Sequence, residues 1–146
     1  MIALIQRVSE AQVRVNDAPV GAIGRGVLAL IGVQRADDPA SGARLLERVL
    51  SYRVFPDAAG RMNLSLREVG GGLLLVPQFT LAADTHKGTR AGFSTAAPPE
   101  EARRLFDDLL ARAQVAYATV SAGVFGEHMQ VSLVNDGPVT FLLSSH

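Results

Sequence analysis

Two runs of consecutive apolar residues, Val27 to Val33 and Leu73 to Val76, limit most tightly what this chain can fold into. A strand with one wet face alternates apolar and polar side chains. An unbroken apolar run of this length is expected of a strand covered on both faces. Neither run approaches the roughly 20 residues of a membrane-crossing helix. The fold must therefore cover a sheet from two sides.

Two segments have the period of a helix and can supply part of that cover. The first opens at Asp38, a side chain suited to capping free amides, with Pro39 in the first helical position. Ala43, Leu46, Val49 and Leu50 then share a face, and the pattern fades near Arg53. The second follows Pro98 and Pro99, with Glu100 and Glu101 where negative charge suits the helix dipole. Ala102, Leu105, Phe106, Leu109, Leu110 and Ala113 form one apolar stripe, as on a helix lying against something flat.

The rest reads as short strands. The N-terminal segment is one, Val13 and Val15 alternate with polar residues, and Asn16-Asp17 turns the chain toward Val20 to Gly24. Further strands are expected at Val54-Phe55, Met62 to Ser65, Tyr117 to Val120, Met129 to Val134 and Val139 to Leu143. The expected fold is α+β, one domain over residues 1–146: a curved, barrel-like, mostly antiparallel β-sheet with two main helices packed outside. A chain of 146 residues is long enough to bury a core without disulfides, and it has no cysteine to form them. Met1 to Arg7 lacks the basic lead and long apolar stretch of a signal peptide, so the cytoplasm is the expected location.

Charge and motif content remove several function classes. Fourteen basic residues balance fourteen acidic ones, which argues against a long grip on duplex DNA but leaves room for one strand end in a pocket. There is no G-x-S-x-G elbow, no phosphate-binding P-loop and no H-E-x-x-H pair. His86, His128 and His146 have no metal-ligand spacing, so neither a metal nor a cofactor is expected.

Two segments carry more chemistry. In Pro77-Gln78-Phe79-Thr80-Leu81, hydrogen-bonding side chains follow directly on a buried strand, at the rim of the sheet. From the residues alone, Gln78 and Thr80 either finish the strand or face a ligand. In Asn135-Asp136-Gly137-Pro138-Val139-Thr140, the first three residues suit a tight turn, but Pro138 removes an amide where a strand should restart. The bond before proline is the one kind for which the cis form is cheap, about 0.5–1 kcal/mol above trans, and Gly137 accepts nearly any backbone angle. Either an ordinary hairpin loop or a rigid pair of outward carbonyls fits.

Together these segments resemble the D-aminoacyl-tRNA deacylase family, whose hallmarks are S-Q-F-T-L and N-x-G-P-V-T. The second is matched in full by Asn135 to Thr140, and the first by Gln78, Phe79, Thr80 and Leu81. Arg7-Val8, Arg61-Met62-Asn63, Ala83-Asp84, Lys87-Gly88, Phe125-Gly126 and Met129-Gln130-Val131 are also similar to the family, so the likeness covers nearly the whole chain.

The resemblance implies a homodimer acting on the acceptor end of aminoacyl-tRNA, with Gly137-Pro138 as a cis pair entering the partner's pocket. There its main-chain oxygens would exclude L-amino acids, whereas a D-amino acid or glycine fits. It implies a catalytic segment of Gln78, Phe79 and Thr80, support from Arg7, Met129 and Asn135, and RNA contacts from Lys87 and Arg90. Thr80 is the side-chain nucleophile this implies, but no base near it in sequence would activate it. The alternative is backbone N–H donors at Phe79 and Thr80, with the RNA 2′-hydroxyl assisting water.

Pro77 stands where the family has serine, and this resembles a related animal deacylase with relaxed chiral selection that clears mischarged L-alanyl-tRNA. That reading and a non-catalytic aminoacyl-tRNA-binding module are the competing ones. Arg90-Ala91-Gly92-Phe93 and Glu127-His128 also depart from the family pattern.

Overall fold

The computed structural model describes all of residues 1–146. Strand β1 (Ile2–Val15) is the spine of the sheet, pairing antiparallel with β2 (Ala18–Ile23), β3 (Gly26–Gly32) and the C-terminal β8 (Gln130–Ser144). On the far side of β3 lie β6 (Gly72–Pro77) and then β7 (Val120–Ala122), both joined in parallel. The sheet is therefore mixed, a refinement of the mostly antiparallel expectation. Its two parallel joins fall around β6, which is reached only after a long excursion of the chain from β3.

Curvature brings β7 back to β2. Ser121 Oγ donates to the Ala22 carbonyl at 3.1 Å, and Gly21 lies so close to β7 that a Cβ there would sit 2.6 Å from the Ala122 carbonyl oxygen. Glycine permits that approach, and the sheet nearly closes into a barrel.

Both continuous apolar runs are covered on two sides. Val27, Ala29 and Ile31 of β3, with Leu73 and Leu75 of β6, pack with the buried faces of α1 (Pro39–Ser51) and α3 (Pro99–Ala116). The alternate residues Leu28, Leu74 and Val76 join Val8, Ala11, Val13 and Ile23 in a second cluster. Ala3 and Ile5 of β1 belong to the helix-side cluster, whereas Ala11 and Val13, of the same odd parity, belong to the other. The register shifts between Gln6 and Glu10 explain the change, because one displaced residue turns a strand's side chains over.

Local chemistry sets the element ends. Asp38 caps α1 by accepting from Ser41 N at 2.8 Å, while Ser41 Oγ accepts from Asp38 N at 3.2 Å. Those bonds from Ser41 hold the Asp38 carboxyl below its ordinary value. At the chain start, the buried Met1 ammonium pairs with the buried Asp37 and donates to Ser145 Oγ at 2.9 Å.

A hairpin, β4 (Arg53–Pro56) with β5 (Met62–Ser65), and the one-turn α2 (Leu66–Val69) join α1 to β6. The α2 turn is too short to show a period in sequence. The strand expected at Tyr117 to Val120 lies later, at β7. Tyr117 instead ends α3, its amide bonded to the Ala113 carbonyl and its hydroxyl donating to the Leu66 carbonyl at 3.1 Å. No helix is long and apolar enough to cross a membrane.

Candidate active site

The largest correction concerns the C-terminal segment. The two strands expected at Met129 to Val134 and Val139 to Leu143 are one continuous strand, β8, and the Gly-Pro segment is a bulge within it rather than a hairpin loop. Gln6 pairs with Thr140 and Val8 with Asn135, so Arg7 alone stands opposite residues 136–139. The surplus backbone bows out of the ladder. Hairpin and bulge share a composition of Asn, Asp, Gly and Pro, and only the partner strand distinguishes them.

Side chains hold the bulge at both ends. Asn135 Oδ1 accepts from Val139 N at 3.1 Å, and its Nδ2 donates to Thr140 Oγ1 at 3.0 Å. The spacing of Asn and Thr in the motif is thus the width of the bulge they close. From beneath, Arg7 Nε donates to the Asp136 carbonyl at 2.9 Å and Nη1 to the Val54 carbonyl at 2.7 Å. Gly137 has φ +143°, and a Cβ there would meet Val139 N at 2.8 Å, so glycine is required. The Gly137-Pro138 bond is cis, and both residues are exposed.

The second locus is a cleft of about 650 Å³ at the end of β6. Its floor is Val76, Pro77, Gln78 and Phe79; Phe93 and Ala96 to Pro99 form one wall, and Phe125 to Met129 the other, with Arg35 at the edge. Directly after β6 the chain enters a 3-10 turn, Phe79–Ala82, whose start carries no side-chain cap. The opening amides of such a turn have no acceptor within it. Gln78 Nε2 donates to Thr80 Oγ1. No histidine, carboxylate or lysine bonds that hydroxyl, so Thr80 is exposed without a base beside it. The Phe79 ring, 59% exposed, meets the Phe93 ring at 5.3 Å between centroids.

The fold therefore gathers Gln78, Phe79 and Met129 at one cleft with Thr80 on the adjoining turn, and Arg7, Asn135, Gly137 and Pro138 at the bulge. Within one protomer the bulge residues do not line the cleft. Lys87 and Arg90 sit exposed on the loop after the 3-10 turn, outside the cleft lining. Asp84 at the base of that loop accepts from His86 N at 3.0 Å and from its ring, which holds the carboxyl below its ordinary value.

Sequence reasoning missed Arg35 and Phe93 as cleft residues. Neither lies in a periodic element, and Arg35 reads as a polar turn residue. His128, assigned no role from sequence, lines the cleft together with Glu127.

The chain is similar to known proteins along nearly its whole length. The D-Tyr-tRNA(Tyr) deacylase family matches residues 4–144. The D-aminoacyl-tRNA deacylase of Thioalkalivibrio sulfidiphilus is 67% identical over 98% of this chain and 96% of its own. The enzyme of that name from Alkalilimnicola ehrlichii is 63% identical over 99% and 97%. A solved structure, the c-Myc DNA Unwinding Element Binding Protein, superposes with a TM-score of 0.94 at 35% identity, covering 99% of this chain and 98% of that one. From its N-terminal strand to the end of β8, the chain belongs to the D-Tyr-tRNA(Tyr) deacylase family.

Proposed function

We infer that this chain hydrolyses the ester bond of D-aminoacyl-tRNA, releasing the D-amino acid and free tRNA. It does so as a homodimer in which Gly137-Pro138 of one protomer completes the cleft of the other. The observation that carries this reading is the separation of the two motif segments. The bulge is braced and exposed, and none of its residues lines the cleft that holds Gln78 and Phe79.

The outer edge of β8 has no partner strand within the protomer, and Val134 and Leu142 on it are 50% and 65% exposed. An open edge with apolar side chains is a surface a second copy covers. Across such an interface the Gly137 and Pro138 carbonyls become a wall of the neighbouring cleft. L and D isomers carry the same groups, so attraction separates them poorly. A fixed obstacle where an L side chain would lie separates them well.

For the chemistry, water adds to the ester carbonyl and the bond from the acyl carbon to the ribose oxygen breaks. The free carboxyl group and the restored ribose hydroxyl are the products. The Phe79 and Thr80 amides stabilise the oxyanion, each good donor contributing about 3–4 kcal/mol. With no base at Thr80, the 2′-hydroxyl of the terminal adenosine assists the water, and the protein's share is placement and charge stabilisation. Lys87 and Arg90 meet phosphates of the single-stranded acceptor end. Although one structural relative is named for DNA binding, a chain with no net charge suits one strand end better than a duplex.

Incubation with D-tyrosyl-tRNA and its L counterpart tests the proposal. Cleavage of the D-ester at least about a hundredfold faster is expected, the range one well-placed exclusion supplies. Equal rates would favour the deacylase with relaxed selection. Binding without cleavage would favour the non-catalytic module.

A further inference from the structure

We propose that Arg35 holds the phosphate that joins the esterified adenosine to the rest of the tRNA. The inference rests on the proposed deacylation and assigns a binding residue to it. Arg35 is the only arginine or lysine lining the cleft; the other ionisable side chains there are Glu127 and His128. In aminoacyl-tRNA the esterified adenosine carries one fixed negative charge near its sugar, the 5′-phosphate that links it to the rest of the strand, so charge on the two sides matches.

The guanidinium is already in place. Its Nε donates to the Ser94 carbonyl at 2.8 Å, and the Arg35 amide donates to the Thr95 carbonyl at 3.1 Å. Beneath it, Asp37 closes the turn: its carboxylate accepts from Gln34 N at 2.7 Å, and its amide donates to the Gln34 carbonyl at 3.1 Å. That carboxylate is itself fixed by the buried Met1 ammonium. Nη1 and Nη2 make no bond to the protein, whereas Nε is used to orient them. A planar pair of free donors on a locked turn is the geometry that recognises phosphate oxygens.

The experiment compares wild type, Arg35→Ala and Arg35→Lys on two substrates, the D-tyrosyl ester of adenosine and that of adenosine 5′-phosphate. For Arg35→Ala, KM on the phosphorylated ester should rise ~10- to 100-fold, the range of one charge-assisted bond, with kcat nearly unchanged. On the unphosphorylated ester it should match wild type, which also shows that the variant folds. Arg35→Lys should fall between.

Equal losses on both esters would make Arg35 a mere tie to Ser94 and overturn the inference, as would no loss on either. In both cases wild-type cleavage leaves the deacylase reading standing. A wild type that cleaves neither D-ester would overturn both.

Discussion

The segment Gln78 to Leu81 and the segment Asn135 to Thr140 both bring backbone to the surface, and they are held there by different forces. The first emerges from β6, whose residues Leu73 to Val76 are buried on both faces, so its position is set by packing on two clusters. The second emerges from a strand open along one edge and is placed by a handful of polar bonds from Arg7, Asn135 and Thr140. Packing spreads a constraint over many atoms. A few hydrogen bonds concentrate it, so single substitutions should separate stability from selectivity.

Leu74→Ala should have the largest effect, on stability alone. Leu74 is fully buried, and its truncation should cost about 2–5 kcal/mol in urea denaturation, with the D/L rate ratio of the remaining folded protein unchanged. Gly137→Ala comes next and should do the reverse. A Cβ at φ +143° against Val139 N displaces the carbonyls, and displacement of about 1 Å is enough for a roughly hundredfold loss. Kinetics on the two tyrosyl-tRNAs should show the D/L ratio collapsing, with a smaller drop in melting temperature than Leu74→Ala gives. A melt shifted as far as that of Leu74→Ala would mean that packing, not local polar bonds, also sets the bulge.

Asn135→Ala should be milder, losing about 1–3 kcal/mol of hydrogen bonding and leaving the Val139 amide unpaired. Its D/L ratio should drop less than that of Gly137→Ala; an unchanged ratio would show that Arg7 alone suffices. Thr80→Ala should do least, with kcat within about tenfold of wild type, because the oxyanion donors there are backbone. A loss of several orders of magnitude in folded protein would restore Thr80 as a covalent nucleophile.

The same contrast decides what could be read from sequence. The β6 side was legible because burial on two faces leaves an unbroken apolar run, and the helices because one apolar stripe shows their period. Composition leaves a hairpin loop and a bulge equally open at Asn135 to Thr140, because the shape depends on the pairing of Gln6 with Thr140 and Val8 with Asn135, far apart in sequence. Arg35 and Phe93 were invisible for a related reason. They reach the cleft through loop contacts such as Arg35 to Ser94, which leave no periodic trace. The parallel joins of β6 were equally hidden, since an apolar run looks the same in either direction. The family motifs gave the site because they mark residues whose geometry no local rule predicts.

The most direct measurement is a crystal structure of the protein with a non-hydrolysable D-aminoacyl-adenosine analogue in the cleft. The expected result is a two-fold dimer paired along the β8 edge, with the partner's Gly137 and Pro138 carbonyls against the ligand's α-carbon, on the side where an L side chain would lie. A monomer, or a dimer whose Gly137-Pro138 bulge points into solvent while the ligand sits in an open cleft, would contradict it.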